Sequence, residues 1–129
     1  MRWGLLIVTA GAAWLISSCS GEPGSVTMAG HSFEPANLTV RAGDPIRFSN
    51  DTSEAHSVTA YGDSLPDGAE YFASGGAKGE REARANISEG LLQPGEGYRV
   101  TLQTPGTYRY FCLPHEDDGM VGSITVESS

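Results

Sequence analysis

The stretch Tyr110-Phe111-Cys112-Leu113-Pro114-His115-Glu116-Asp117-Asp118-Gly119-Met120 decides how this chain is read. It sets out a thiol, an imidazole and a thioether at the spacing Cys-x2-His-x4-Met. Sulfur donors beside an imidazole nitrogen select copper among the common metals. A further strong donor is required, and the chain holds only two other histidines, His31 and His56. His56 opens a strand after a polar loop, a position from which it can reach the Cys112 turn. His31 sits beside Gly30 at an expected strand end and reads as an exposed surface residue. The expected ligand set is therefore His56, Cys112 and His115 in a trigonal plane, with Met120 as a long, weak axial ligand. That geometry suits a copper ion that exchanges single electrons.

Each of these residues has a plainer use. A lone buried Cys is usually a small hydrophobe, a lone Met fills the core, and a lone His lies on the surface. Their convergence on one turn, stiffened by Pro114 and flanked by Gly119 and Gly122, favours ligation. Zinc is the competing metal, but its structural sites are built from spaced Cys and His pairs, and a thioether is a poor ligand for it. Catalytic metals keep a coordination position open to water or substrate; a His2Cys set with an axial Met leaves none. With only His31 left over, a second copper centre built on His-x-His pairs is excluded. The expectation is an electron carrier, not an enzyme.

Composition narrows the rest. A chain of 129 residues is one domain's worth. Its formal charge of −8 argues against nucleic-acid binding and favours a basic protein partner, through steering more than affinity. With 17 Gly and 7 Pro, and little helical periodicity, a compact all-β domain is expected.

Residues 1–18 stand apart. Arg2 gives a small positive start, and Gly4 to Ile16 is apolar but shorter than the roughly 20 residues that cross a bilayer. That is the form of a cleaved leader. Its end, Leu15-Ile16-Ser17-Ser18-Cys19, resembles a bacterial or archaeal lipobox, which implies a lipid on Cys19 and a protein anchored to the outer face of the cytoplasmic membrane. An ordinary leader with an incidental cysteine, or a disulfide from Cys19 to Cys112, are the competing readings. Residues 19–25 read as a polar tether, and residues 26–129 as the copper domain.

Within that domain, short alternating strands are broken by turns. Val26–Ala29 is the first, followed by a turn at Phe33 to Asn37. Leu38-Thr39-Val40, Ile46-Arg47-Phe48-Ser49 and Ser57–Tyr61 follow. Asp63 to Leu92 is the least strand-like part and holds one short helix, about Gly79–Asn86, too brief to stand without docking. Tyr98, Val100 and Leu102 alternate with polar residues. Tyr108, Tyr110 and Cys112 share a face, which turns the thiol inward. Gly122–Glu127 closes the sheet.

Gly106-Thr107-Tyr108-Arg109-Tyr110-Phe111-Cys112-Leu113-Pro114-His115, with Gly119-Met120-Val121-Gly122, resembles the copper loop of plastocyanin-type cupredoxins. Phe33-Glu34-Pro35, Leu38 to Asp44 and His56-Ser57-Val58 resemble the first half of that family. Tyr71-Phe72-Ala73-Ser74-Gly75-Gly76 and the short helix look like the membrane-anchored halocyanins. The resemblance implies a Greek-key β-sandwich with one type 1 (blue) copper ion at one end. It also implies a monomer that shuttles single electrons between redox proteins such as cytochromes, oxidases or reductases. It further implies that His115 is a solvent-facing electron port and that Phe111 points outward on a second route. A copper chaperone is the alternative function, although the chain has no Met- or His-rich cluster. Two departures stand out. Ser57 replaces the usual Asn that ties the ligand loops together, and Glu116-Asp117-Asp118 puts charge where plastocyanins are uncharged. That run reads either as a solvated turn or as a steering patch that lowers the potential.

Overall fold

The computed structural model describes residues 24–129. The expected leader, Cys19 and all but the end of the tether lie outside these residues. Gly24 and Ser25, assigned above to the tether, already belong to the first strand, where they pair with Ile46 and Arg47.

Eight strands form two four-stranded sheets. In chain order they are β1 (Gly24–Ala29), β2 (Ser32–Glu34), β3 (Asn37–Arg41), β4 (Pro45–Asn50), β5 (Thr59–Ala60), β6 (Gly97–Thr101), β7 (Gly106–Phe111) and β8 (Val121–Glu127). One sheet runs β2-β1-β4-β6 and the other β3-β8-β7-β5. The chain passes from sheet to sheet after β2, β3, β4, β5 and β6; β1 and β4 pair in parallel, as do β3 and β8. This is a β-sandwich with Greek-key crossovers.

The alternation read from sequence sets its core. Val26 and Met28 of β1, Ile46 and Phe48 of β4, Tyr108 and Tyr110 of β7 and Ile124 and Val126 of β8 are all buried. Aromatic rings bridge the sheets: Tyr110 meets Phe33 and Phe48 edge-on, with centroids 4.7 and 5.4 Å apart, a favoured arrangement for such pairs.

Three local expectations need correction. Phe33 and Glu34 are not turn residues but part of β2, because burying the Phe33 ring draws its backbone into the ladder. The strand expected at Ser57–Tyr61 shrinks to Thr59–Ala60. The residues at its start spend their backbone groups elsewhere: the preceding His56 exchanges bonds with Leu92 at 3.1 and 2.6 Å, and Val58 accepts from the Ser74 N–H at 2.7 Å. The single helix is two pieces, α1 (Glu80–Ala85) and α2 (Ile87–Gly90), broken at Asn86. Asn86 leaves helical geometry while its side-chain amide donates back to the Glu82 carbonyl, the competing local bond that makes Asn a poor interior helix residue. The helices dock rather than fray: Ala83 is buried, and Arg84 reaches Glu116. Among the described residues no helix is long and apolar enough to cross a membrane.

Candidate metal centre

β7 carries Tyr108 and Tyr110 into the core, and Cys112, one residue past its end, continues on that face and is wholly buried. The next turn folds back on itself. The Cys112 N–H donates to the Met120 carbonyl at 3.0 Å, and the Met120 N–H donates to the His115 carbonyl at 3.2 Å. Between them a 3-10 helix, Leu113–Asp118, carries Pro114 in its first turn and is kinked at His115. Gly119 ends it in the left-handed region (φ 78°), a conformation open to glycine at low cost. That reversal returns Met120 to the core, where it is wholly buried.

His56 approaches from the other sheet's end. Besides its paired bonds to Leu92, its loop is tied by Asn50, wholly buried at the end of β4. The Asn50 amide donates to the carbonyls of Glu54 (2.7 Å) and Leu92 (2.9 Å) and accepts from the Thr52 N–H and hydroxyl. Sequence reasoning missed this residue. The available signal was that Asn50 continues the Ile46-Phe48 face, so an amide there must be buried and internally bonded.

The structure brings His56, Cys112 and His115 together. The Cys112 Sγ lies 3.6 Å from His56 Nδ1 and 3.4 Å from His115 Nδ1, and all three donor atoms fall within 4.8 Å of one another. Nitrogen and sulfur donors about 2.0–2.3 Å from one first-row ion subtend edges of this length. The imidazole–thiol–imidazole set thus fits a single copper ion in both size and chemistry. His31, by contrast, is outside this set. It is exposed, as expected, but it is no bystander: its ring stacks on His115, centroids 4.0 Å apart and 24° from parallel.

The immediate surroundings prepare these donors. Burial pushes the Cys112 thiol above its ordinary value, and the Ser57 N–H, which donates to Sγ at 3.3 Å, offsets part of that. Burial lowers His56, and the nearby His115 lowers it further. At neutral pH the imidazole is therefore free to ligate, whereas the thiol must shed its proton to the solvent as a cation enters. The departure at Ser57 turns out not to leave the loops untied. Its hydroxyl accepts from the Leu113 N–H at 2.8 Å and meets the Thr59 hydroxyl at 3.1 Å.

One expectation drawn from resemblance is corrected. Phe111 leaves the central core but is wholly buried, not outward to solvent. Tyr61 stacks against it at 4.4 Å, and the Arg84 guanidinium covers it, 4.4 Å from the ring centroid. His115 keeps only 14% of its side chain exposed. The acidic run is likewise neither a uniform solvated turn nor a uniform patch. Glu116 accepts from both terminal Arg84 nitrogens (2.7 and 3.0 Å) and from the Tyr61 hydroxyl (2.9 Å). The Arg84 bonds hold its carboxyl below the usual range. Asp118 lies 3.1 Å from His31.

A β-sandwich with a buried His2Cys cluster and Met120 at one end defines a class of small copper-binding domains. Residues 22–127 match the model of the "copper binding proteins, plastocyanin/azurin family", and the chain belongs to that family; its metal is copper. Plastocyanin of Sambucus nigra is 37% identical, covering 82% of this chain and 93% of that one. Chloroplastic plastocyanin of Hordeum vulgare is also 37% identical, over 73% of this chain, which spans 54% of that relative's length. Among solved structures, an oxidised amicyanin variant aligns with a TM-score of 0.59 at 25% identity, covering 81% of this chain and 82% of that one. The copper-containing nitrite reductase of Thermus scotoductus aligns at 0.62 and 27% identity, over 83% of this chain but 23% of that one.

Proposed function

We propose that this protein is a single-electron carrier in which His56, Cys112, His115 and Met120 hold one copper ion. The observation that carries the reading is the meeting of two imidazole Nδ1 atoms at 3.4 and 3.6 Å from one buried thiol. Bound copper supplies a one-electron couple between Cu(I) and Cu(II). The chain's own residues do the rest. Met120 and the surrounding core exclude water, and the Ser57 N–H holds a charge-stabilising bond to the sulfur. Three strong donors and a thioether around one ion would leave no position for a substrate, which supports a carrier over an enzyme. Docking of a basic redox partner is supported by the exposed carboxylates of Glu54 and Asp118 beside His31 and His115. Attachment to the outer face of the membrane through a lipid on Cys19 rests on the sequence of the leader alone.

The test is a visible spectrum and a potentiometric titration of the copper-loaded protein. An intense blue band that disappears on uptake of one electron per copper is expected, and Cys112→Ser should abolish it. Copper bound without colour, and passed readily to a chelator, would favour a chaperone instead.

A further inference from the structure

His31 lies outside the ligand set and, at first sight, has no part in the site. Its placement argues otherwise. Its ring is nearly parallel to that of His115 at a centroid separation of 4.0 Å, which is direct van der Waals stacking. One ring nitrogen, Nε2, lies 2.7 Å from Glu54 Oε2, and the other, Nδ1, lies 3.1 Å from Asp118 Oδ2. A side chain with two rotatable bonds is thereby fixed from both sides. His31 is itself 40% exposed, whereas the His115 beneath it is 14% exposed. A partner approaching this end of the sandwich meets the His31 ring before it meets His115.

We infer that His31 is the outer ring of the electron port: electrons pass from the copper site through His115 into the stacked His31 and from there to the partner. The inference rests on the electron-carrier reading above and deepens it. One electron leaves the reduced site, an oxidised metal centre in the partner gains it, and no proton or bond is transferred. Tunnelling falls exponentially with the gap between donor and acceptor, so a π-system that fills that gap matters more than its modest packing energy. Glu54 and Asp118 act as positioning residues, and their charge places a cationic partner face over the ring.

The experiment compares wild type, His31→Ala, His31→Leu and His31→Phe, each loaded with copper. Oxidation of the Cu(I) form by a cationic one-electron oxidant, tris(phenanthroline)cobalt(III), is followed by stopped flow, with each variant's potential measured to correct for driving force. His31→Leu fills the space without a π-system, and His31→Phe keeps the stack without the carboxylate contacts. The rate should fall about tenfold in His31→Ala and His31→Leu, equivalent to about 1.4 kcal/mol of activation free energy, and recover in His31→Phe. In the metal-free protein the ring protons of His115 should lose a ring-current shift in His31→Ala and His31→Leu but not in His31→Phe. Equal rates in all four proteins, or faster oxidation of His31→Ala, would overturn the inference, the latter by making His31 a shield. Failure of the carrier reading looks different: wild type itself would then show no blue band and no one-electron titration.

Discussion

Replacing Ser57 by Ala tests how the two ligand-bearing loops are joined. In the native protein the wholly buried hydroxyl accepts from the Leu113 N–H at 2.8 Å and pairs with the Thr59 hydroxyl. The N–H bond from Ser57 to the Cys112 sulfur is backbone and survives the change. What is lost is the side-chain hydrogen bond between the loop that carries His56 and the residue following Cys112. A partly buried donor stranded in this way costs about 1–3 kcal/mol. That is a large part of the roughly 5–15 kcal/mol by which such domains are stable, and at about 4 °C per kcal/mol it lowers Tm by roughly 4–12 °C.

Urea melts of the metal-free protein give the cleanest measure, because no metal equilibrium is superimposed and an unchanged m-value identifies a true stability effect. Thr59→Val serves as the control. It removes the other hydroxyl but leaves the Leu113 bond, so it should cost distinctly less than Ser57→Ala. In the copper-loaded protein the released Leu113 turn should also shift the visible band. A stability loss below about 0.5 kcal/mol, the range of ordinary surface changes, with an unmoved band would show that the hydroxyl does not tie these loops.

Other changes probe the surroundings. Gly122→Ala drives a Cβ into the Tyr110 ring and should cost about 1–3 kcal/mol through overpacking, as read from denaturant melts. Arg84→Ala uncovers Phe111 and frees Glu116; because both side chains keep contact with solvent, 40% and 28% exposed, the loss should be about 1 kcal/mol, with faster amide exchange across Glu80–Ala85 as the sensitive readout. Tyr61, Tyr71 and Tyr98 are each pushed up to about 12, chiefly by burial. The unfolded chain gives up its phenolic protons at the ordinary value of about 10 while the folded protein retains them, so stability should be intact below that pH and fall as pH rises from there through the folded values. Phenolate absorbance during alkaline titration, set beside urea melts at matched pH, checks both halves of that statement.

The strands and the inward turn of Cys112 were legible because period-two alternation reports burial directly, and the core is built from those alternating positions. The residues of the copper turn were legible because they sit within one short stretch. What escaped depended on contacts between distant segments, which leave no periodic trace. Asn50 sits on an apolar face and looks like a strand-end polar residue; its role appears only once Leu92 is beside it. Phe111 alternates away from the central core, but α1 comes from a region with weak local signals, so nothing announced that Arg84 would roof the ring. His31 and Glu116 escaped for the same reason. Each was read from its neighbours in the chain, whereas its partners lie 23 and 32 residues away.

The same contacts explain why the donors can be ready before a metal arrives. Cys112 and Met120 are joined by backbone bonds across the turn that carries both, and His56 is fixed by its exchange with Leu92 and by the Asn50 amide. None of these bonds involves a ligating atom, so none must break or form when the charge of the ion changes. A carrier gains from that arrangement, since every atom that moves with the oxidation state adds to the barrier for electron transfer. The exceptions are telling: His115 at the rim is held by stacking with His31 and by a kinked 3-10 turn rather than by a ladder. The donors shut away from solvent are thus held through backbone bonds and a buried amide, and the imidazole nearest the surface chiefly through side-chain packing.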